Sequence, residues 1–173
     1  GTVWAARHLG HAMPERVAGY DLAQELLRCA PAEGRRVYFF GSAPGVAEKA
    51  KAKAEQLYPG IEIVGVHNGF FSPADNAAII AEIRAARPDL LLVALGVPKQ
   101  EKWIAAHLAE LDVPVAIGVG GTLDVMAGVM KRAPHWMQKA KLEWLFRGLM
   151  QPKRAGRLLA LPKFVLKVHA SRK

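Results

Sequence analysis

The sequence predicts a doubly wound α/β domain on a mostly parallel, Rossmann-like sheet, followed by a basic helical C-terminal appendage. Three observations predict it. Apolar segments recur at 37–40 (VYFF), 61–66, 89–95 and 113–119, and LLLVAL and VPVAIGV lack the polar alternation of a strand wetted on one face. Stretches rich in helix formers separate them, at 46–58, 73–87 and 98–111. Each apolar segment runs out into glycine and polar residues, where open parallel sheets hold their ligands.

Taken in order, residues 2–9 are apolar enough for a helix or a core segment, and Gly1 reads as a start in the middle of a domain, so sequence upstream is expected. VYFF is β-branched and aromatic and ends in GSAPG, a buried strand and a turn. Gly41 to Gly45 then lie between a strand end and a helix N-terminus, where backbone amides favour anions. The loop reads G-S-A-P-G rather than G-x-G-x-x-G, and the next strand is followed by His67 and Asn68 rather than an acid, which argues against a nicotinamide dinucleotide enzyme.

The third strand is the pivot. LLLVALGVPKQE (90–101) passes from core directly into Gly96, Pro98, Lys99, Gln100 and Glu101, so a buried strand delivers polar side chains to one point. The fourth runs into Gly118 to Asp124. Four loops are therefore expected to converge on one crevice, carrying Gly41 and Ser42; His67, Asn68, Gly69, Phe70 and Phe71; Gly96 with Pro98, Lys99, Gln100 and Glu101; and Gly118 to Asp124, Gly120 among them. Asp124 either accepts hydrogen bonds from a ligand hydroxyl or caps the short helix after the glycine run. Lys99 to Glu101 have capping of the helix from Pro98 as their competing reading.

At 173 residues and 51% hydrophobic content, the chain is long enough to bury one substantial core. Cys29, the single cysteine, cannot close an intramolecular disulfide, and no Cys/His spacing matches a zinc site. A reducing, cytosolic setting fits, and no apolar run reaches the length of a membrane span or the core of an export signal. The net charge of +9 is localised: residues 1–138 carry 14 basic and 14 acidic side chains, whereas 139–173 carry 10 basic ones against Glu143 alone. Such a segment suits polyanions, whether phosphates, lipid headgroups or nucleic acid, with a solvated tail as the plain alternative.

Within the appendage Leu158, Leu161, Val165 and Val168 share one helical face while Lys163 and Lys167 point away, and Pro162 argues against one straight helix. Apolar contact with several basic charges suffices for peripheral attachment to an anionic membrane. A homo-oligomer, this face closing over the domain or a partner subunit, is the alternative. Trp103 and Trp144 read as core rather than sugar-stacking residues, while His67 and His135 stay open. A non-catalytic nucleotide- or nucleic-acid-binding module is the rival to an enzyme. No nucleic-acid motif is present, and nucleic acid is not the expected partner.

The ordered motifs FFGSAPG, YPG, NGFF, ALGVPKQEKWI, GVGGTLDVMAG, RAPHW, LEWLFR and QPKR resemble the WecG/TagA/CpsF family of bacterial glycosyltransferases over essentially the whole chain. The resemblance implies a nucleotide-sugar-binding core at 1–138 and an appendage at 139–173 that serves as active-site lid and membrane contact. It implies inverting transfer of an N-acetylmannosamine-type sugar from a UDP donor to N-acetylglucosamine on undecaprenyl diphosphate, in cell-surface polysaccharide or teichoic acid synthesis. The enzyme would then work peripherally on the inner face of the plasma membrane.

Family matches further imply active-site roles for Arg16 and Gln100, with a surface salt bridge as the competing reading of Arg16, and implicate Arg147, Arg154 and Arg157 as arginines brought over the site. The family's base, an Asp of an Asp-Gly-x-Gly motif, would fall three residues before Gly1. No Asp-x-Asp pair is present, so no metal and no cofactor is expected, the arginines meeting the diphosphate instead.

Overall fold

The computed structural model describes residues 2–13, 17–134, 136–137, 142–143, 145–146 and 160–171. Its frame is a four-stranded, all-parallel sheet in the order β2-β1-β3-β4, formed by β1 (Arg36–Gly41), β2 (Glu62–His67), β3 (Leu90–Ala94) and β4 (Val115–Gly118). The α/β class expected from the apolar segments is the one observed. Val37 to Phe40 and Leu91 to Val93 are fully buried because helices cover both faces of these central strands.

Successive residues of β1 feed different layers. Val37 and Phe39 pack with α2 (Gly19–Cys29), α3 (Val46–Leu57) and α6 (Thr122–Met126), through Ala23, Leu27, Ala47, Ala50, Ala54 and Leu123. Tyr38 and Phe40 pack on the other face with α4 (Asn76–Ala86) and α5 (Lys99–Leu111), through Ile79, Ile83, Trp103 and Leu111. The alanines of α3 let it lie close to the sheet. Gly65 serves the opposite face, since a Cβ there would run into the Tyr38 ring.

Helix α2 lies in a stretch to which sequence reading assigned no element. Its Ala23 and Leu27, four apart, bury one stripe in the core. The helix expected at 73–87 is preceded by a short 3-10 turn, Pro73–Asp75.

The chain divides into two units, Ala18–Lys131 and Gly1–Val17 with Arg132–Lys173. In the second unit α1 (Thr2–His8) meets α7 (Ala160–Ala170) through three rings: Trp4 stacks on His8 at 5.3 Å, and His169 lies 4.5 Å from His8. Arg132 pairs with Glu143 at 3.4 Å in the same unit.

Helix α7 includes Pro162 as its third residue, early enough that the missing backbone N–H breaks no bond within 160–170. Val168 is buried, and Lys163 and Lys167 are exposed, as the helical wheel predicts; Val165 is itself 40% exposed, beside Phe164 and Leu166. Among the described residues no helix is long and apolar enough to cross a membrane.

Candidate active site

The strand order reverses between β1 and β3: from β1 the chain moves outward to β2, then returns to the other side of β1. A crevice opens at the carboxyl ends of two strands whose following connections diverge. Here Gly41 closes β1 with φ of 126°, and a Cβ on it would fall 2.5 Å from the Ala94 carbonyl. Only glycine fits.

Ser42 follows in the left-handed region, at φ 61°, a conformation that costs a side-chain-bearing residue about 1–2 kcal/mol. Three contacts hold it. Its N–H donates to Ala94 O at 3.0 Å, its own carbonyl accepts from Gly69 N at 2.8 Å, and its Oγ donates to Asp124 Oδ2 at 3.3 Å. The end of β3, the loop after β2 and the helix after β4 thus meet around one serine at the end of β1.

Asp124 sits half-buried in the first turn of α6 without capping it, since the position before that helix is Gly121 and no side chain caps it there. Its carboxylate instead faces the strand ends.

Gln100 is a second tie. It is 2% exposed, in the first turn of α5, and its Oε1 accepts from Gly96 N at 3.2 Å and from Gly120 N at 2.9 Å. Its Nε2 donates to Glu101 Oε1 at 2.8 Å. Both acceptor sites of the amide are used, and one N–H remains beyond the bond to Glu101. The capping alternative is not observed, because the amide joins the β3 and β4 loops. Gly118 makes room for it, a Cβ there falling 2.5 Å from Gln100 Nε2.

Beside this crest, on the α4 and α5 side, lies an open basin of about 700 Å³ lined by Gly69, Phe70, Phe71, Asp75, Leu95 and Lys99, with Ser72 at its edge. Phe70 is 74% exposed, and Lys99 Nζ lies 5.0 Å from the Phe71 ring centre. Asn68 shapes the approach by accepting from Phe70 N at 2.9 Å, a local turn bond. Asp75 Oδ2 accepts from Ser72 N at 2.7 Å and Ser72 Oγ at 2.8 Å. The Ser72 backbone donor, then its hydroxyl, holds the Asp75 carboxyl below its ordinary range.

His67, left open by sequence, is held by Glu82, with Nδ1 2.9 Å from Oε2, and Glu82 also accepts from the Tyr38 hydroxyl. Burial, reinforced by Glu82, pushes the Tyr38 phenol well up, so it remains a donor. Trp103 is core as expected, its Nε1 donating to Asn76 Oδ1 at 2.9 Å.

Gly41, Ser42, Asn68, Gly69, Phe70, Gly96, Lys99, Gln100, Gly120 and Asp124 therefore all lie at a strand's last residue, in the loop after it or in the helix turn that follows, the places the sequence predicts for them. Arg16, Arg147, Arg154 and Arg157, with His135 and Trp144, lie outside the described residues. Phe71 falls in the strand-end loop that the sequence brings to the crevice, whereas sequence reasoning missed Asp75 and Leu95 as basin residues. For Asp75 a signal existed in Ser72-x-x-Asp75, the spacing of a capping box.

The family model described as "Glycosyl transferase WecG/TagA/CpsF family" matches residues 1–173. Among curated proteins, the chain is 37% identical over 168 residues to the N-acetylglucosaminyldiphosphoundecaprenol N-acetyl-beta-D-mannosaminyltransferase of Bacillus subtilis (strain 168), covering 97% of this chain and 65% of that protein. It is 36% identical over 168 residues to the protein of the same name in Staphylococcus aureus (strain MW2), with the same two coverages. The chain thus spans 65% of the length of these relatives. It belongs to the WecG/TagA/CpsF glycosyl transferase family.

Proposed function

We propose, from that membership, that this chain is the nucleotide-sugar-binding part of an inverting glycosyltransferase. It moves an N-acetylmannosamine-type sugar from a UDP donor to N-acetylglucosamine on undecaprenyl diphosphate, in the synthesis of a cell-surface polysaccharide or teichoic acid. The observation that carries the reading is identity of 37% across 97% of the chain with a relative named as an N-acetyl-beta-D-mannosaminyltransferase of N-acetylglucosaminyldiphosphoundecaprenol. The crest at the switch point supports it, since the site sits where such sheets take ligands.

In the proposed reaction an acceptor hydroxyl oxygen forms a bond to the anomeric carbon as the bond to UDP breaks. The hydroxyl proton passes to a base and UDP leaves with the electron pair, in one displacement that inverts the centre. Asp124, fixed by Ser42, accepts from donor hydroxyl or N–H groups, and the backbone of Gly41, Ser42, Gly69, Gly96 and Gly120 admits the ligand closely. Gln100 holds the Gly96 and Gly120 loops in register and keeps one amide hydrogen for the substrate.

We assign stabilisation of the leaving diphosphate to Arg16, Arg147, Arg154 and Arg157, and no metal or cofactor to the reaction. Attachment is proposed to be peripheral, on the inner face of the plasma membrane, where exposed Phe164, Val165 and Leu166 between Lys163 and Lys167 on α7 suit an anionic leaflet. Calorimetry of UDP against single-stranded RNA tests the reading. UDP binding without RNA binding is expected, and the reverse would make the protein a nucleic-acid module.

A further inference from the structure

We infer that Tyr38, Glu82 and His67 form a positioning chain for the loop after β2, with the buried Tyr38 hydroxyl as its anchor and His67 as the residue that holds the base of the loop. This rests on the transfer proposed above and adds to it residues that act through the loop rather than on a substrate. His67 is the last residue of β2, and residues 68–71 lead from it into the crevice. Its Nδ1 lies 2.9 Å from Glu82 Oε2, while Glu82 Oε1 accepts from the Tyr38 hydroxyl. A carboxylate only accepts, so the proton facing Glu82 sits on Nδ1. The three residues belong to β1, α4 and β2, so the chain ties the base of the loop to a central strand of the sheet and to the helix that covers it.

A solvent-exposed histidine–glutamate pair contributes little by itself, and the Glu82 side chain is 47% exposed. The third member sets this pair apart. Tyr38 is fully buried, and burial, reinforced by Glu82, keeps its phenol protonated and therefore a donor. A buried donor is costly to leave unpaired, so it holds Glu82 in one orientation, and Glu82 in turn orients the imidazole. Gly65 makes room for this, since a Cβ there would run into the Tyr38 ring. Further along, the Phe40 ring lies 5.9 Å from that of His67 and 5.4 Å from that of Phe71, bracing both ends of the loop. Between them Gly69 N donates to Ser42 O at 2.8 Å, the bond that ties the loop to the crest. Releasing His67 should loosen that bond first.

The test uses full-length protein, with circular dichroism confirming that each variant folds. His67→Leu is expected to lower the protection of the Gly69 amide about tenfold, the scale of one charge-assisted hydrogen bond, while amides of β3 keep theirs, and to lower kcat/KM for transfer by a similar factor. His67→Asn, whose side-chain amide nitrogen can stand in for Nδ1, should recover most of both. Tyr38→Phe removes only the anchor and should move both part of the way. Imidazole 15N spectra of the neutral ring should show the His67 proton on Nδ1, and Glu82→Leu should shift it to Nε2. Unchanged Gly69 protection in His67→Leu or in Tyr38→Phe, no recovery in His67→Asn, or a wild-type ring protonated on Nε2 would each overturn the chain. Lowered Gly69 protection with unchanged transfer would overturn its part in the reaction. Wild-type protein that transfers no sugar would refute the activity proposed above, and Gly69 protection with the ring tautomer would still decide whether the chain holds the loop.

Discussion

Gln100 stands between two glycine loops that are 24 residues apart, and its single oxygen satisfies both Gly96 N–H and Gly120 N–H. Gln100→Ala leaves both amides without that acceptor, at a cost of about 1–3 kcal/mol in stability, and should lower turnover at least about tenfold as the loops lose register. Gln100→Glu made together with Glu101→Gln keeps the acceptor oxygen without setting two carboxylates against each other, so thermal unfolding and turnover of this variant and of Gln100→Ala separate bracing from substrate contact. A brace alone predicts that Glu recovers most of the turnover. Gly41→Ala is the steric counterpart: the added Cβ meets the Ala94 carbonyl at 2.5 Å in a left-handed backbone. A loss of about 2–4 kcal/mol in denaturant unfolding is expected. That polar side chains gather at these strand ends was legible in the apolar run into GVPKQE. That Gln100 turns inward to backbone was not, because its partner Gly120 comes from another strand and no local spacing encodes the meeting.

At the scale of elements, four strands and their intervening helices were legible because each is an unbroken apolar or helix-forming run. Helix α2 was not, although Ala23 and Leu27 carry its stripe, because it precedes the first strand and stands outside the alternation. Pro162 falls in the first turn of α7, where a proline is tolerated as it is not in a helix interior. The turn Ser72 to Asp75 makes a pH prediction. A carboxyl whose folded pKa is lowered stabilises above the ordinary carboxylate range, and the contribution fades as pH falls through the folded value. The protection of the Ser72 amide, taken relative to its intrinsic exchange rate at each pH, should therefore fall on acidification, and Asp75→Asn should lower it already at neutral pH. Equal protection in variant and wild type would remove Asp75 as the clasp of the basin's edge.

At the scale of the whole molecule, the excess charge falls in residues 139–173, much of which lies outside the described residues. The α/β frame is complete by Met126, so deleting everything after Met150 should leave the sheet folded by circular dichroism while transfer is lost and binding to anionic liposomes weakens. Arg154→Gln with Arg157→Gln separates charge from apolar contact. If these arginines hold the leaving diphosphate, turnover should fall by about 2 kcal/mol or more, with only a modest loss of liposome binding. The central claim is metal-independent, inverting transfer between a UDP-sugar and a lipid diphosphate. Its most direct measurement is incubation of the full-length protein with UDP-N-acetylmannosamine and a short-chain diphosphate-linked N-acetylglucosamine in EDTA, with the product's anomeric configuration read by NMR. The account predicts a disaccharide of inverted configuration, at a rate within about twofold of that without chelator, where loss of a catalytic metal would remove several kcal/mol. A retained configuration, or a rate abolished by EDTA and restored by magnesium or manganese, would contradict it.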